Sequence, residues 1–405
     1  MRQLLLKEWD RFVNFKLTGE LLYQVAFIYL VTISYLQTST YVDFFAPSTL
    51  HRLLFIGLAT LAFKIFFLDR HNVWSMFGNI FGFGLLLITW RTSHDFMLVV
   101  MGTLILGARG VNFQQIMKLY YLVGLVGLLY IIISAEAGVI RNLVFVRDTT
   151  GAVRRALGII YPTDLAAHVL FLVLVDAYLY FKRLNWRRYA VYILVALLVM
   201  LTTNARLDTA AILLVIPVTW IGRRAAQGHL VSRLIAGFYW IVPVIGAYGI
   251  IIASYFYNIA DHRMRKIDHL LSGRLQFGHT AFERYPVTQF GQSIHENGWG
   301  ARIKTGIPKQ GMIDYFYIDA SFLRLLMIFG LAALLVILLI MVKISWQSVQ
   351  LNDYALASIL VIVTVNAVLE QRLVDIAYNP FLIAFLATGT VSMMTKEKDI
   401  ERVHS

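Results

Sequence analysis

The chain has 405 residues, of which 59% are hydrophobic and only 15% charged, a balance outside the range of soluble globular domains. It has no cysteine, which excludes disulfides, thiolate metal sites and a cysteine nucleophile. The formal net charge of +13 lies in short basic clusters between apolar runs, so membrane topology accounts for it and nucleic acid binding is not implied.

Residues 1–17, inside "MRQLLLKEWDRFVNFKLTGE", carry basic residues on an amphipathic pattern with no small-residue cleavage site. This predicts a cytoplasmic interfacial segment and no signal peptide. Apolar runs then recur at roughly 18–40, 50–69, 73–91, 95–109, 118–136, 163–181, 189–203, 208–222, 234–257, 319–343, 354–370 and 376–394. Each is about the length of helix that crosses ~30 Å of hydrocarbon. The expected fold is an all-α polytopic membrane protein of about 12 transmembrane helices, one domain over 18–395, with a cytoplasmic tail at 396–405. A closed barrel would show ~10-residue alternating segments instead.

With the N-terminus in the cytoplasm, the clusters "DRHN" (Asp69 to Asn72), "ARGVNFQQIMK" (Ala108 to Lys118), "FKRLNWRR" (Phe181 to Arg188), "GRRAAQGHLVSR" (Gly222 to Arg233), Lys343 and "KEKDIER" (Lys396 to Arg402) fall on one side. The other, external face then holds 137–162, the tight connection "TNARLD" (Thr203 to Asp208), the long loop 258–318 and "EQRLVDIAYNP" (Glu370 to Pro380). Loop 137–162 breaks the positive-inside rule: Arg141, Arg147, Arg154 and Arg155 face a single Asp148, and none is Lys. Arginine's planar fork suits bidentate binding of phosphate oxygens, so an outward-facing anion site is expected. A solvated loop near lipid headgroups is the plain alternative. In "RRALGIIYPTDLAAH", Gly158 and Pro162 shape the entry to a helix that Thr163 is expected to cap, with Asp164 in its first turn.

Further along this face, Arg206 lies between two spans with almost no loop, a costly place for a charge unless it is paired or bound to a ligand. Pairing with Asp208, or reaching out to lipid phosphates, is its structural alternative. Arg274 and Arg284 lie in the long loop. Asp319 opens a span, either as a charge that complements the helix dipole or as a general base at the membrane surface. His262, His269, His279 and His295 follow no metal-ligand spacing, and no metal or other cofactor is expected. Tyr161, Tyr285, Tyr315, Tyr317 and Trp299 are candidates to stack on sugar rings, although aromatics collect at membrane interfaces in any case. Lys64, Asp176 and Glu20, the main charges near spans, lie close enough to the cytoplasmic ends to reach water. No internal repeat or paired broken helices mark an inverted-repeat transporter.

Taken in order, these segments resemble the O-antigen ligase and Wzy-type polysaccharide polymerase superfamily of bacterial envelope glycosyltransferases. Arg155, Gly158, Pro162, Asp164 and Ala166 stand in a pattern R-x-x-G-x-x-x-P-[NT]-[ND]-x-A; "TTNARLDTAAILL" holds the place of a Ser-Arg-Gly-like turn; "SGRLQFGHTAFERYPVTQFGQS" resembles the G-R stretch ending in P-x-x-x-F-G; "YIDASFLRLLMIFG" precedes the span after the long loop. The last segment has Asp319 and Ala320 where the ligases have His-Asn, which favours a polymerase.

The resemblance implies a GT-C-like glycosyltransferase in the bacterial cytoplasmic (inner) membrane with its active site on the periplasmic face. Its donor and acceptor would be undecaprenyl-diphosphate-linked glycans, with flippase and chain-length regulator proteins as candidate partners and no nucleic acid. Arg155, Arg206 and Arg274 would neutralise the departing diphosphate while Asp319 takes the acceptor proton; Arg154, Arg284, Arg147, Tyr161, Tyr317 and His295 would bind substrate. Transfer to another acceptor by a ligase, and export of a lipid-linked oligosaccharide without chemistry, are the alternative functions.

Overall fold

The computed structural model describes residues 18–146, 151–297, 302–303 and 315–390. In chain order, α1 (Gly19–Gln37), α2 (Pro47–Phe63, prolonged by a π-helical turn at Lys64–Leu68), α3 (Val73–Ser93), α4 (Met97–Gly107) and α5 (Phe113–Glu136) come first. The strands β1 (Val144–Val146) and β2 (Val153–Arg155) follow, then α6 (Pro162–Leu179), α7 (Trp186–Thr203), α8 (Arg206–Ala226), α9 (Leu230–Ala236) and α10 (Val242–Tyr255). The long loop carries α11 (His262–Leu270), α12 (Arg274–Arg284) and β3 (Arg302–Ile303). Beyond it lie α13 (Ser321–Arg324), α14 (Leu331–Gln350) and α15 (Ala355–Leu369).

Helices start where a polar side chain can take up their orphan N–H groups. Thr18, Asn72, Asn112 and Asn185 cap α1, α3, α5 and α7 in this way. α6 does not follow the expectation: its cap is Tyr161, with Pro162 in the first turn, and Thr163 is already helical. Proline needs no N–H partner there, so no side-chain cap is required.

Among the described residues, nine helical stretches are long and apolar enough to cross a membrane, and Met97–Gly107 and Ala355–Leu369 are shorter apolar helices. α6 and α15 are buried along nearly their whole length, as helices that are apolar all round must be. α3 lies at the periphery, with Trp74 84% exposed and Phe77, Phe81 and Leu87 also turned outward.

Bonds between helix ends sort the connections onto two faces. On one, which we call the loop face, Thr40 N–H donates to the Gly158 carbonyl at 2.8 Å, Arg141 pairs with Asp43, and Thr92 Oγ1 donates to the Phe290 carbonyl at 2.6 Å. On the opposite face, Thr388 N–H donates to the Val111 carbonyl at 2.8 Å, and Asn112 N–H to Glu20 at 3.0 Å. Two of the three charges expected to reach water at that end, Lys64 and Asp176, are paired within the protein, while Glu20 is partly exposed. Lys64 is 1% exposed and donates to both oxygens of Asp69 and to the carbonyls of Gly107 and Arg109; Asp176 accepts from Arg188 and Tyr192. A buried ammonium with that many acceptors within 2.7 to 2.9 Å has no need of water.

Three expected spans differ in detail. The run at 376–394 is not an α-helix over its described part: Pro380 interrupts it, and only a 3₁₀ turn at Phe381–Phe385 forms. Asn379 satisfies the freed backbone there, donating to the Leu373 carbonyl at 2.7 Å and accepting from Phe381 N–H at 3.1 Å, which a bundle interior requires. The run at 234–257 breaks into α9, a 3₁₀ turn at Tyr239–Ile241, and α10. The run at 319–343 breaks at Gly330, after a π-helical turn at Leu325–Phe329.

That break is a seat for the long loop. Gly330 (φ +92°) faces Gly291 (φ +94°), and a Cβ on either would come within 2.3 Å of the other segment's backbone. Gln292 N–H donates to the Ile328 carbonyl, and Leu331 and Ala332 N–H donate to the Thr288 and Gln289 carbonyls, at 2.9 to 3.0 Å. The "PVTQFGQS" stretch (Pro286 to Ser293) is therefore what docks the loop onto the broken helix.

Strands also appear in an otherwise helical molecule: β2, β1 and β3 form a small antiparallel sheet in that order, with Val144 opposite Arg155 and Phe145 opposite Arg154.

Candidate functional site

A two-residue strand period sends neighbouring side chains to opposite faces, and this separates the arginine pair. Arg154 turns inward and is 5% exposed, while Arg155 is exposed. Arg154 Nε donates to the Thr203 carbonyl at 2.8 Å and its guanidinium lies 5.4 Å over the Tyr161 ring, yet its buried Nη2 has no hydrogen-bond partner among the described residues. Arg206, which begins α8 just beyond Thr203, is also exposed. Neither Arg155 nor Arg206 forms an ion pair with a described residue, and Arg206 does not pair with Asp208, which is 1% exposed and accepts from Asn366 at 3.2 Å.

Gly158 follows three residues beyond β2. Its φ of +86° and the 2.9 Å approach that a Cβ would make to the Ile131 carbonyl leave room only for glycine.

Deeper on the same face, charges from four segments are joined in a chain. Arg274 Nη2 donates to Glu370 Oε1 at 2.9 Å, and Arg372 Nη1 donates to Glu370 Oε2 at 2.9 Å. Arg372 Nη2 continues to Asp164 Oδ1 at 2.7 Å, and Arg274 Nε lies 3.9 Å from Asp319 Oδ2. Arg274 is otherwise held by the carbonyls of Leu369 and Ser272. Arg372 lies over the Tyr378 ring at 5.1 Å. Ser321 stitches the two end segments together: its Oγ donates to the Glu370 carbonyl at 2.5 Å and accepts from Leu373 N–H at 3.1 Å.

Asp319 lies at one end of this chain, partly open to solvent. Burial pushes its carboxyl up to about 6; Arg274 opposes the rise and Glu370 adds to it. It is 21% exposed, so a solute can reach it. Tyr161, Tyr315 and Tyr317 lie within its electrostatic reach, and burial raises all three phenols, so at neutral pH they remain O–H donors. A carboxylate raised toward neutrality, with three tyrosines in its electrostatic surroundings and the Arg274 guanidinium 3.9 Å away, can accept a proton from a hydroxyl-bearing substrate next to an anionic group.

The placement of Asp319 is set by its neighbour. Glu296 accepts from Ile318 N–H at 2.8 Å and from Arg324 Nη1 at 2.8 Å, while Arg324 Nη1 also donates to the Ile318 carbonyl at 3.3 Å. Both backbone groups of Ile318 are thus gripped by one ion pair. Arg324 is 6% exposed, lies over the Tyr317 ring at 5.3 Å, and approaches Asp95 Oδ2 at 3.7 Å. For any reaction in which Asp319 serves as the base, replacing Arg324 with Met is expected to lower turnover about tenfold and to move the acid limb of the pH profile upward, since Arg324 is one of the charges that restrain Asp319's rise. In an Asp319→Asn background the same change should add nothing; additive losses in that double-mutant cycle would show that Arg324 only supports the fold.

The remaining sequence candidates are dispersed. Arg284 lies over the Phe316 ring at 5.0 Å, and His295 is exposed beside Glu296. Arg147, Asp148 and Trp299 lie outside the described residues. Glu370, Arg372, Asp164, Glu296 and Arg324 are the site residues to which sequence reasoning gave no role in substrate chemistry. The signal for three of them was present: Glu370 and Arg372 stand at the junction of two apolar runs, and Arg324 is a charge five residues inside another.

The fold and this buried ionic cluster define a polytopic helical protein embedded in a membrane. Compared with protein-family models, curated proteins and solved structures, the chain matches none.

Proposed function

We propose that this protein is a membrane glycosyltransferase that polymerises polyprenyl-diphosphate-linked oligosaccharide units. The observation that carries the reading is Asp319, a carboxylate raised to about 6 and 3.9 Å from the Arg274 guanidinium, on the same face as Arg154, Arg155 and Arg206. In this reading the helices α1 to α8, the α9–α10 pair, the α13–α14 pair, α15 and the irregular segment after it make twelve crossings of a GT-C-like architecture. The loop face is periplasmic and the membrane is the bacterial inner membrane, as the basic clusters of the opposite face support.

The acceptor hydroxyl gives its proton to Asp319 as its oxygen attacks the anomeric carbon. The C–O bond to the lipid diphosphate breaks, and its electron pair leaves with the diphosphate oxygen. Displacement in one step inverts the anomeric centre. The arginines divide the work: Arg274 and Arg372 already answer Glu370, Asp319 and Asp164, so they tune the base. The exposed guanidiniums of Arg155 and Arg206, with the unpartnered Nη2 of Arg154, have donors left for phosphate oxygens.

The test is purified protein supplied with a lipid-linked repeat unit, watched for a glycan ladder and released polyprenyl diphosphate; no ladder from active-site-intact protein overturns the reading. The double variant Arg155→Ala/Arg206→Ala is expected to reduce the ladder roughly 10²–10³-fold, the scale of lost transition-state charge stabilisation, with thermal unfolding unchanged because both side chains are exposed.

A further inference from the structure

Helix α11 has no part in the cluster described above, and its surface divides into three sectors. Residues one helical turn apart share a face. Met264, Asp268 and Leu271 turn toward the protein, with Asp268 only 5% exposed. Ile267 and Leu270 occupy a second sector, 50% and 73% exposed, continuous in chain order with exposed Tyr255, Phe256 and Ile259 at the end of α10. His262, Arg265, Lys266 and His269 fill the third and are all exposed, while Arg263, also exposed, stands on the face of Ile267 and Leu270 one turn nearer the start of the helix.

The acids nearby are engaged with backbone. Asp261 accepts from Arg263 N–H at 2.7 Å as the cap of α11, and Asp268 accepts from Leu275 N–H at 2.8 Å at the start of α12. Arg263, Arg265 and Lys266 form no ion pair among the described residues. α11 is therefore a short helix with protein on one side, bare apolar side chains on a second and uncompensated positive charge on a third, separated by only six residues from a span that ends at Tyr255.

We propose that α11 lies in the membrane interface, with Ile267 and Leu270 in the acyl region and Arg263, Arg265 and Lys266 binding the phosphate headgroups of anionic phospholipids. The physics is that of interfacial helices: apolar area sets the depth, and positive charge selects anionic headgroups over zwitterionic ones. Only an anionic surface complements this third sector, since the structure spends no carboxylate on it. Because α11 is followed at once by α12, whose first residue is Arg274, headgroup binding also fixes the level at which the ionic cluster sits in the bilayer. The proposal does not depend on the glycosyltransferase reading, and its test needs no activity.

The chain has no cysteine, so a single introduced thiol can be labelled in the full-length protein in bilayer nanodiscs. A fluorophore on Leu270→Cys is expected to be quenched by acyl-chain quenchers and shielded from aqueous iodide. A fluorophore on His269→Cys is expected to be quenched at least twofold more by headgroup-labelled phosphatidylglycerol than by phosphatidylcholine carrying the same quencher. Adding Arg263→Gln, Arg265→Gln and Lys266→Gln to the His269→Cys chain should erase that difference. Equal quenching by the two headgroups in the original chain, a difference that survives the triple change, or a Leu270 label open to iodide would each overturn the proposal.

Discussion

Replacing Asp319 with Asn is expected to cut glycan transfer by roughly 10²–10⁴-fold, the range of a lost general base, while the lipid-linked units still bind. The unchanged protein should lose activity as the pH falls through about 6, where burial has placed this carboxyl, and hold a plateau above it. The sign follows from the chemistry: a base works only when deprotonated. Stability runs the other way. A carboxyl whose folded pKa lies above its unfolded value of about 3.9 penalises folding once it ionises, so the penalty is absent below about 4 and complete above about 6. Asp319→Asn removes that penalty, and at pH 7.5 the variant should melt no lower than the unchanged protein. Kinetics across pH 5 to 8 beside thermal melts of both chains check this. An Asn variant with full activity would reduce Asp319 to a charge near a helix start.

The apolar runs were legible because a bilayer demands lengths that few other environments do, and α1, α3, α5 and α6 fall close to the runs that predicted them. The breaks were not. Gly330 inside an apolar run looks like any membrane-helix glycine, and only the approach of Gly291, brought by the fold, makes it a break. Pro380 was visible, yet an apolar stretch around it was expected to stay helical; Asn379 makes the irregular path tolerable, and a side chain that bonds its own neighbourhood leaves no periodic trace. In the arginine pair, sequence favoured Arg155 by its register, whereas the strand alternation that buries Arg154 needs β1 to be known first. Arg274 and Asp319 were singled out as separate residues. That they come within 3.9 Å, and that Glu370 and Arg372 extend the chain to Asp164, are facts of tertiary packing between segments up to 208 residues apart.

The second large effect concerns Arg372, which is 2% exposed and supplies the charge between Glu370 and Asp164. Truncation to Met keeps much of the apolar stem over Tyr378 but leaves two carboxylates facing each other with Arg274 as the remaining close cation. Breaking a buried ion pair on one side typically costs about 3–5 kcal/mol, because the uncompensated charge cannot return to water. Arg372→Met is expected to lose stability on that scale near pH 7.5, measured by thermal or denaturant unfolding in a single detergent. The deficit should shrink toward pH 5, where protons can take the place of the missing guanidinium. Removing one of the stranded charges makes the sharper check: Arg372→Met/Asp164→Asn should recover at least half of the lost stability, although it deletes a second polar contact. If the double variant is no more stable than the single one, the guanidinium matters for packing on Tyr378 rather than for balancing the carboxylates. A Lys at 372 should fall between the two, since an ammonium brings the charge but lacks the planar fork that reaches Glu370 and Asp164 together.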